Sequence, residues 1–113
     1  MRIISGKYKG RKIYPPKNLP SRPTTDRLKE SLFNILQNRF EYSSIRVLDL
    51  YSGTGNISYE FASRGSLNIT SVDQNRQCVN FIKKTSRLLN MEINVIQSDS
   101  INFLKKNKNQ FHL

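Results

Sequence analysis

The chain has 113 residues, enough for one modest domain, and its 36% hydrophobic and 10% aromatic content can bury a core. No apolar run approaches the roughly 20 residues that span a bilayer, and Met1 is followed by Arg2 and only two apolar residues, Ile3 and Ile4, so a cytosolic location is expected. A single cysteine, Cys78, and a single histidine, His112, exclude an internal disulfide and a Cys/His metal cluster, while a net charge of +11 reads either as attraction to a polyanionic partner such as RNA or DNA or as a solvated surface kept soluble by like charge.

The charge is concentrated at the start. Residues 1–29 hold nine Lys/Arg against one Asp, whereas residues 30–113 hold ten against seven Asp/Glu. In "RIISGKYKGRKIYPP" two β-prone pieces, Ile3–Ile4 and Lys12–Tyr14, flank Gly6 and Gly10 with cations between them, which predicts a small hairpin with a basic turn. Pro15, Pro16, Pro20 and Pro23 then keep the chain extended, because proline continues neither a ladder nor a helix interior. Residues 1–24 therefore read as a basic hairpin and arm, and residues 25–113 as an α/β unit.

Thr24, Thr25 or Asp26 can cap a helix running to about Asn38, with Leu28, Leu32, Ile35 and Leu36 as its apolar stripe and Arg27 and Lys29 on other faces. After "EYSS", the apolar run "IRVLDL" reads as a buried strand leading straight into "YSGTGN". A second helix is expected from about Ile57 to Arg64, stopped by Gly65. The pattern then repeats: "NITSV" is a strand ending at Asp73, a helix covers about Arg76–Asn90, "INVIQ" is a strand ending near Asp99, and a helix covers about Ser100–Lys106. Cys78 shares a helix face with Ile82, Thr85 and Leu89 and reads as packing. Alternating strands and helices predict right-handed βαβ crossovers and a parallel sheet, with "QFHL" as the beginning of a fourth strand.

Parallel α/β sheets bind ligands beyond the carboxyl ends of their strands, and Asp49, Gly53, Gly55, Asp73 and Asp99 all fall at or just past such ends. A dinucleotide fingerprint can be stretched over Gly53, Gly55 and Ser58, with Asp73 on a ribose. Asp49 opposes it, because a pyrophosphate would sit at the helix N-terminus beside that carboxylate. S-adenosylmethionine carries an ammonium and a sulfonium and no phosphate, so the same carboxylate attracts it. The glycines permit close approach, Asp73 can accept from both ribose hydroxyls, and Asp99 can accept from the adenine amine or simply cap the next helix.

These residues resemble the RsmD-type bacterial methyltransferases, class I S-adenosylmethionine-dependent enzymes of Rossmann-like fold that methylate N2 of a guanine in 16S ribosomal RNA. The likeness is carried by "MRIISGKYKGRKI", "RPTTDRLKESLFNIL", "VLDLYSGTGN" and "SVD", the first two being the specific ones. It implies that Asp49, Gly53, Gly55 and Asp73 line the cofactor, with Asp99 at the adenine and Tyr51 where the wider superfamily often has a glycine. It further implies that Arg22, Thr24 and Arg27 face the active site or the RNA, while Lys7, Lys9, Arg11 and Lys12 read as phosphate-contacting cations. Tyr8 either stacks on a base or packs the hairpin.

The family's catalytic motif, Asp or Asn followed by two prolines and an aromatic, occurs nowhere in this sequence and is expected after Leu113. The chain is thus expected to be a fragment, cut at the start of strand four, that binds cofactor and 16S rRNA or the small subunit with little turnover. "IRVLDL" would then be an unpaired sheet edge. A non-catalytic RNA-binding module and a dinucleotide-dependent oxidoreductase are the competing readings.

Overall fold

The computed structural model describes residues 1–19 and 25–107. Helices α1 (Asp26–Gln37), α2 (Asn56–Ser63), α3 (Arg76–Leu88) and α4 (Ser100–Lys106) alternate with strands β1 (Arg46–Leu50), β2 (Asn68–Asp73) and β3 (Ile93–Gln97). The loop expected at "EYSS" contains a single 3-10 turn, Tyr42–Ser44. All strands run parallel in the order β1-β2-β3, with Asp49 opposite Ser71 and Asp73 opposite Gln97. Among the described residues β1 pairs with β2 alone and forms one edge of the sheet. Arg22, Thr24 and the expected fourth strand at "QFHL" lie outside the described residues. None of the described helices is long and apolar enough to cross a membrane.

Local signals account for the helix starts. Thr25 Oγ1 accepts from the Leu28 amide at 3.2 Å to begin α1, and Asn75 Oδ1 accepts from the Cys78 amide at 3.0 Å to begin α3. Cys78, Ile82, Thr85 and Leu89 are buried along α3, as their spacing suggests.

Helix α1 departs from its sequence reading. Its buried residues are Lys29, Phe33 and Leu36, whereas Leu28, Leu32 and Ile35 are 63%, 42% and 57% exposed. The inward face is displaced by about 100° from the apolar stripe, the rotation of one residue. Phe33 fixes that face by packing edge-on against Phe61 at 4.6 Å and by lying under the Arg64 guanidinium at 4.6 Å.

Lys29 faces inward because a buried carboxylate awaits it. Its ammonium donates to the Arg2 carbonyl at 2.6 Å and to Asn56 Oδ1 at 2.8 Å, and stands 3.2 Å from Glu60 Oε1. Neither Lys29 nor Glu60 exposes any side-chain surface. Glu60 also accepts from the amides of Ile4 at 2.9 Å and Ser5 at 3.1 Å and from Arg64 Nε at 2.7 Å. Burial pushes the Glu60 carboxyl up, but the Ile4 amide, Arg64, Lys29 and the Ser5 amide together hold it below its ordinary value.

The basic segment is consequently tied into the core. Among the described residues its ladder contact is an antiparallel bridge between Arg2 and Lys12, yet Ile3 and Ile13 pack with Tyr59, Ile82, Leu89 and Met91. The turn between them lies on the end of α2: the Lys7 amide donates to the Ser63 carbonyl at 2.8 Å and the Tyr8 amide to Ser63 Oγ at 3.0 Å. Contact there is so close that a Cβ on Gly6, at φ +91°, would stand 2.0 Å from the Ser63 oxygen. Tyr8 packs rather than projecting, with its phenol donating to the Leu89 carbonyl and Lys7 Nζ 5.5 Å above its ring.

Candidate cofactor site

Asp49 stands one residue before the end of β1, just ahead of the turn at residues 51–55. Ser58, on the first turn of α2, donates to Asp49 Oδ2 at 2.7 Å, and its hydroxyl also shares a hydrogen bond with that of Ser71 on β2. Ser58 and Ser71 are wholly buried and Asp49 is half-buried. Burial raises the Asp49 carboxyl to about 6, against the lowering pull of Ser58 and with some help from the charge on Asp73. A carboxylate held at this disadvantage attracts a cationic ligand.

Asp73, at the end of β2, organises the turn from below. Its Oδ2 accepts from the Gly53 amide at 2.9 Å and its Oδ1 from the Asn75 amide at 2.8 Å. Each oxygen uses one acceptor position in this way and retains another for a hydroxyl. Ser52 locks the turn to both strands, its amide donating to the Val72 carbonyl at 3.1 Å and its hydroxyl to the Asp49 carbonyl at 2.6 Å.

Gly55 is required by packing within the protein. It caps α2 at φ +89°, and a Cβ there would lie 2.7 Å from the Tyr59 ring and 3.0 Å from Ile82. Gly55→Ala is therefore expected to lower stability by about 1–3 kcal/mol through overpacking, with about 1–2 kcal/mol more from the left-handed backbone; urea denaturation checks this. Tyr51, in the same turn, holds φ +57° and is 72% exposed.

The structure thus joins Asp49, Gly53, Gly55 and Asp73 around one turn. Asp99 stands at the next strand end, where its Oδ1 caps α4 by accepting from Ile101 at 2.8 Å and Asn102 at 3.4 Å. Lys7, Lys9, Arg11, Lys12 and Arg27 are all exposed, the first four on the basic segment and Arg27 on α1. Ser71 and Glu60 carry no motif in the sequence, Lys29 reads there only as lying off the apolar stripe of α1, and Ser58 enters only as part of a dinucleotide fingerprint. Ser71 had a signal in the polar interruption of the apolar run "NITSV". Among the described residues no three His, Cys, Asp or Glu side chains are grouped to hold a metal.

The family model described as "Conserved hypothetical protein 95" matches residues 1–113. Ribosomal RNA small subunit methyltransferase D of Haemophilus influenzae is 35% identical over 99% of this chain and 58% of its own length. A solved structure of an Escherichia coli protein provisionally named methyltransferase yhhF superposes with a TM-score of 0.79 at 31% identity, covering 92% of this chain and 55% of that one. An S-adenosylmethionine-dependent methyltransferase from Agrobacterium tumefaciens superposes with a TM-score of 0.57 at 25% identity, covering 69% and 26%. The chain spans about half the length of the curated relatives it matches.

Proposed function

This chain belongs to the RsmD-type methyltransferase family and has a parallel sheet of the class I Rossmann-like kind, and from that premise we propose that it binds S-adenosylmethionine as part of an enzyme methylating N2 of a guanine in 16S rRNA. The observation that carries this reading is the half-buried Asp49 carboxyl beside the Gly53–Gly55 turn, a position suited to a cation and adverse to a pyrophosphate. Asp49 would hold the amino-acid ammonium, Asp73 the ribose hydroxyls through its remaining lone pairs, and Asp99 the adenine amine beside its capping role. Tyr51 would close the mouth of the crevice. When bound, the cofactor supplies a methyl group on a sulfonium.

Lys7, Lys9, Arg11 and Lys12, with Arg22, Thr24 and Arg27, would hold the RNA, mainly through its phosphates. The residues that orient a guanine amine in this family belong to the proline-pair motif, which this sequence lacks. The chain alone is therefore expected to bind cofactor without appreciable turnover.

Calorimetry with S-adenosylmethionine and with NAD tests the cofactor, and labelled methyl transfer by a full-length homologue to small-subunit rRNA tests the substrate. Heat with S-adenosylmethionine alone and N2-methylguanine in the digested RNA are expected. Salt-sensitive RNA binding without cofactor binding would replace this reading by a non-catalytic module, and protection by NAD would replace it by an oxidoreductase.

A further inference from the structure

A groove of about 390 Å³ runs between the basic segment and α1, within the roughly 300–1,000 Å³ range of small-ligand sites. Its two walls differ in chemistry. The basic segment contributes Arg2 and Lys9, whereas α1 contributes Glu30, Asn34 and Gln37 from successive turns of one face. Arg64 forms part of the lining. Its side chain is only 7% exposed and is fixed by Glu60 and by the Phe33 ring, so it is a rigid donor.

The charge beneath the groove does not cancel. Glu60 is one carboxylate shared between two buried cations, Lys29 and Arg64. Arg2 is paired with Asp26 at 2.7 Å, and Lys9 stands exposed on the rim. The cationic wall and base favour an anion on their own side, while the opposite wall carries the Glu30 carboxylate together with the Asn34 and Gln37 amides, donors and acceptors of the kind that read base edges.

Resting on the RNA reading above, we propose that this groove seats a nucleotide of single-stranded RNA flanking the target guanine, with its phosphate against Lys9 and Arg64 and its base edge read by Asn34 and Gln37. The geometry distinguishes this nucleotide from the one that reacts. Asn56 and Arg64 lie at opposite ends of α2, about 12 Å apart at about 1.5 Å per residue, and the cofactor turn adjoins the Asn56 end. The groove therefore sets sequence preference at a neighbouring position and takes no part in methyl transfer.

Fluorescence anisotropy with short single-stranded RNAs that differ at one base tests this on the chain as it stands. The parent is expected to prefer one base at one position. Asn34→Ala/Gln37→Ala, at exposed helical positions that tolerate alanine, is expected to abolish that preference with about a tenfold loss for the favoured RNA and an unchanged salt slope. Lys9→Ala is expected to weaken all RNAs alike and to reduce the salt slope by about 1. Retained preference in a folded double variant, or a parent that binds every sequence equally, overturns the groove while leaving the RNA reading intact. A parent that binds no RNA overturns both.

Discussion

Glu60→Ala is expected to lower the unfolding free energy by about 3–5 kcal/mol, the range for removing one partner of a buried ion pair. The alanine leaves Lys29 and Arg64 as buried cations without their carboxylate, and it strips the Ile4 and Ser5 amides of their acceptor. Lys29→Met is expected to destabilise less, because Glu60 keeps Arg64 and both amides and the methionine fills most of the same volume. Urea denaturation of the two variants gives the order. The pH dependence provides a second check. Because the folded Glu60 carboxyl lies below its ordinary value of 4.5, its stabilisation is fully present above that value and is lost as pH falls through the folded one. The gap between parent and Glu60→Ala should therefore narrow on acidification.

Asp49→Asn is expected to weaken S-adenosylmethionine binding about 30-fold or more, corresponding to the roughly 2 kcal/mol or more that loss of one partner of a buried charge pair costs. Calorimetry at neutral pH measures it. With its carboxyl at about 6 before ligand arrives, the parent must shed a proton to bind a cation at lower pH. Affinity should rise as pH climbs toward 6 and level off above it, whereas the asparagine variant should show no such rise. Stability of the unliganded chain follows the opposite course. A carboxyl raised above its ordinary 3.8 holds its proton more tightly in the folded state, so this contribution declines from about 3.8 to about 6 and is constant above.

The alternation of elements was legible because each strand and helix carries its own local punctuation: Asn75 before α3, the glycines after β1, and short apolar runs between polar turns. The grouping of Asp49, Gly53, Gly55 and Asp73 around one turn was legible for the same reason, since they mark successive strand ends. The face of α1 was not legible. Counting apolar residues selects Leu28, Leu32 and Ile35, and nothing local reveals that Lys29 has a partner on another helix. A lysine reads as solvated until a buried carboxylate is brought to it, and only the tertiary arrangement supplies Glu60. Gly55 illustrates a subtler gap, because the sequence gives the glycine a cofactor to admit, whereas the contact that the structure shows there is the Tyr59 ring.

The ties of the basic segment also impose an order of events on synthesis. Ile4 and Ser5 need Glu60, 56 and 55 positions downstream, and Tyr8 needs Leu89, 81 positions downstream. At about 5–20 residues per second, the last of these partners is made roughly 4–16 s after Tyr8. Throughout that interval Ile4, Ser5 and Tyr8 lack the partners that fix them, and folding then holds their neighbours Lys7, Lys9, Arg11 and Lys12 at the surface in one arrangement.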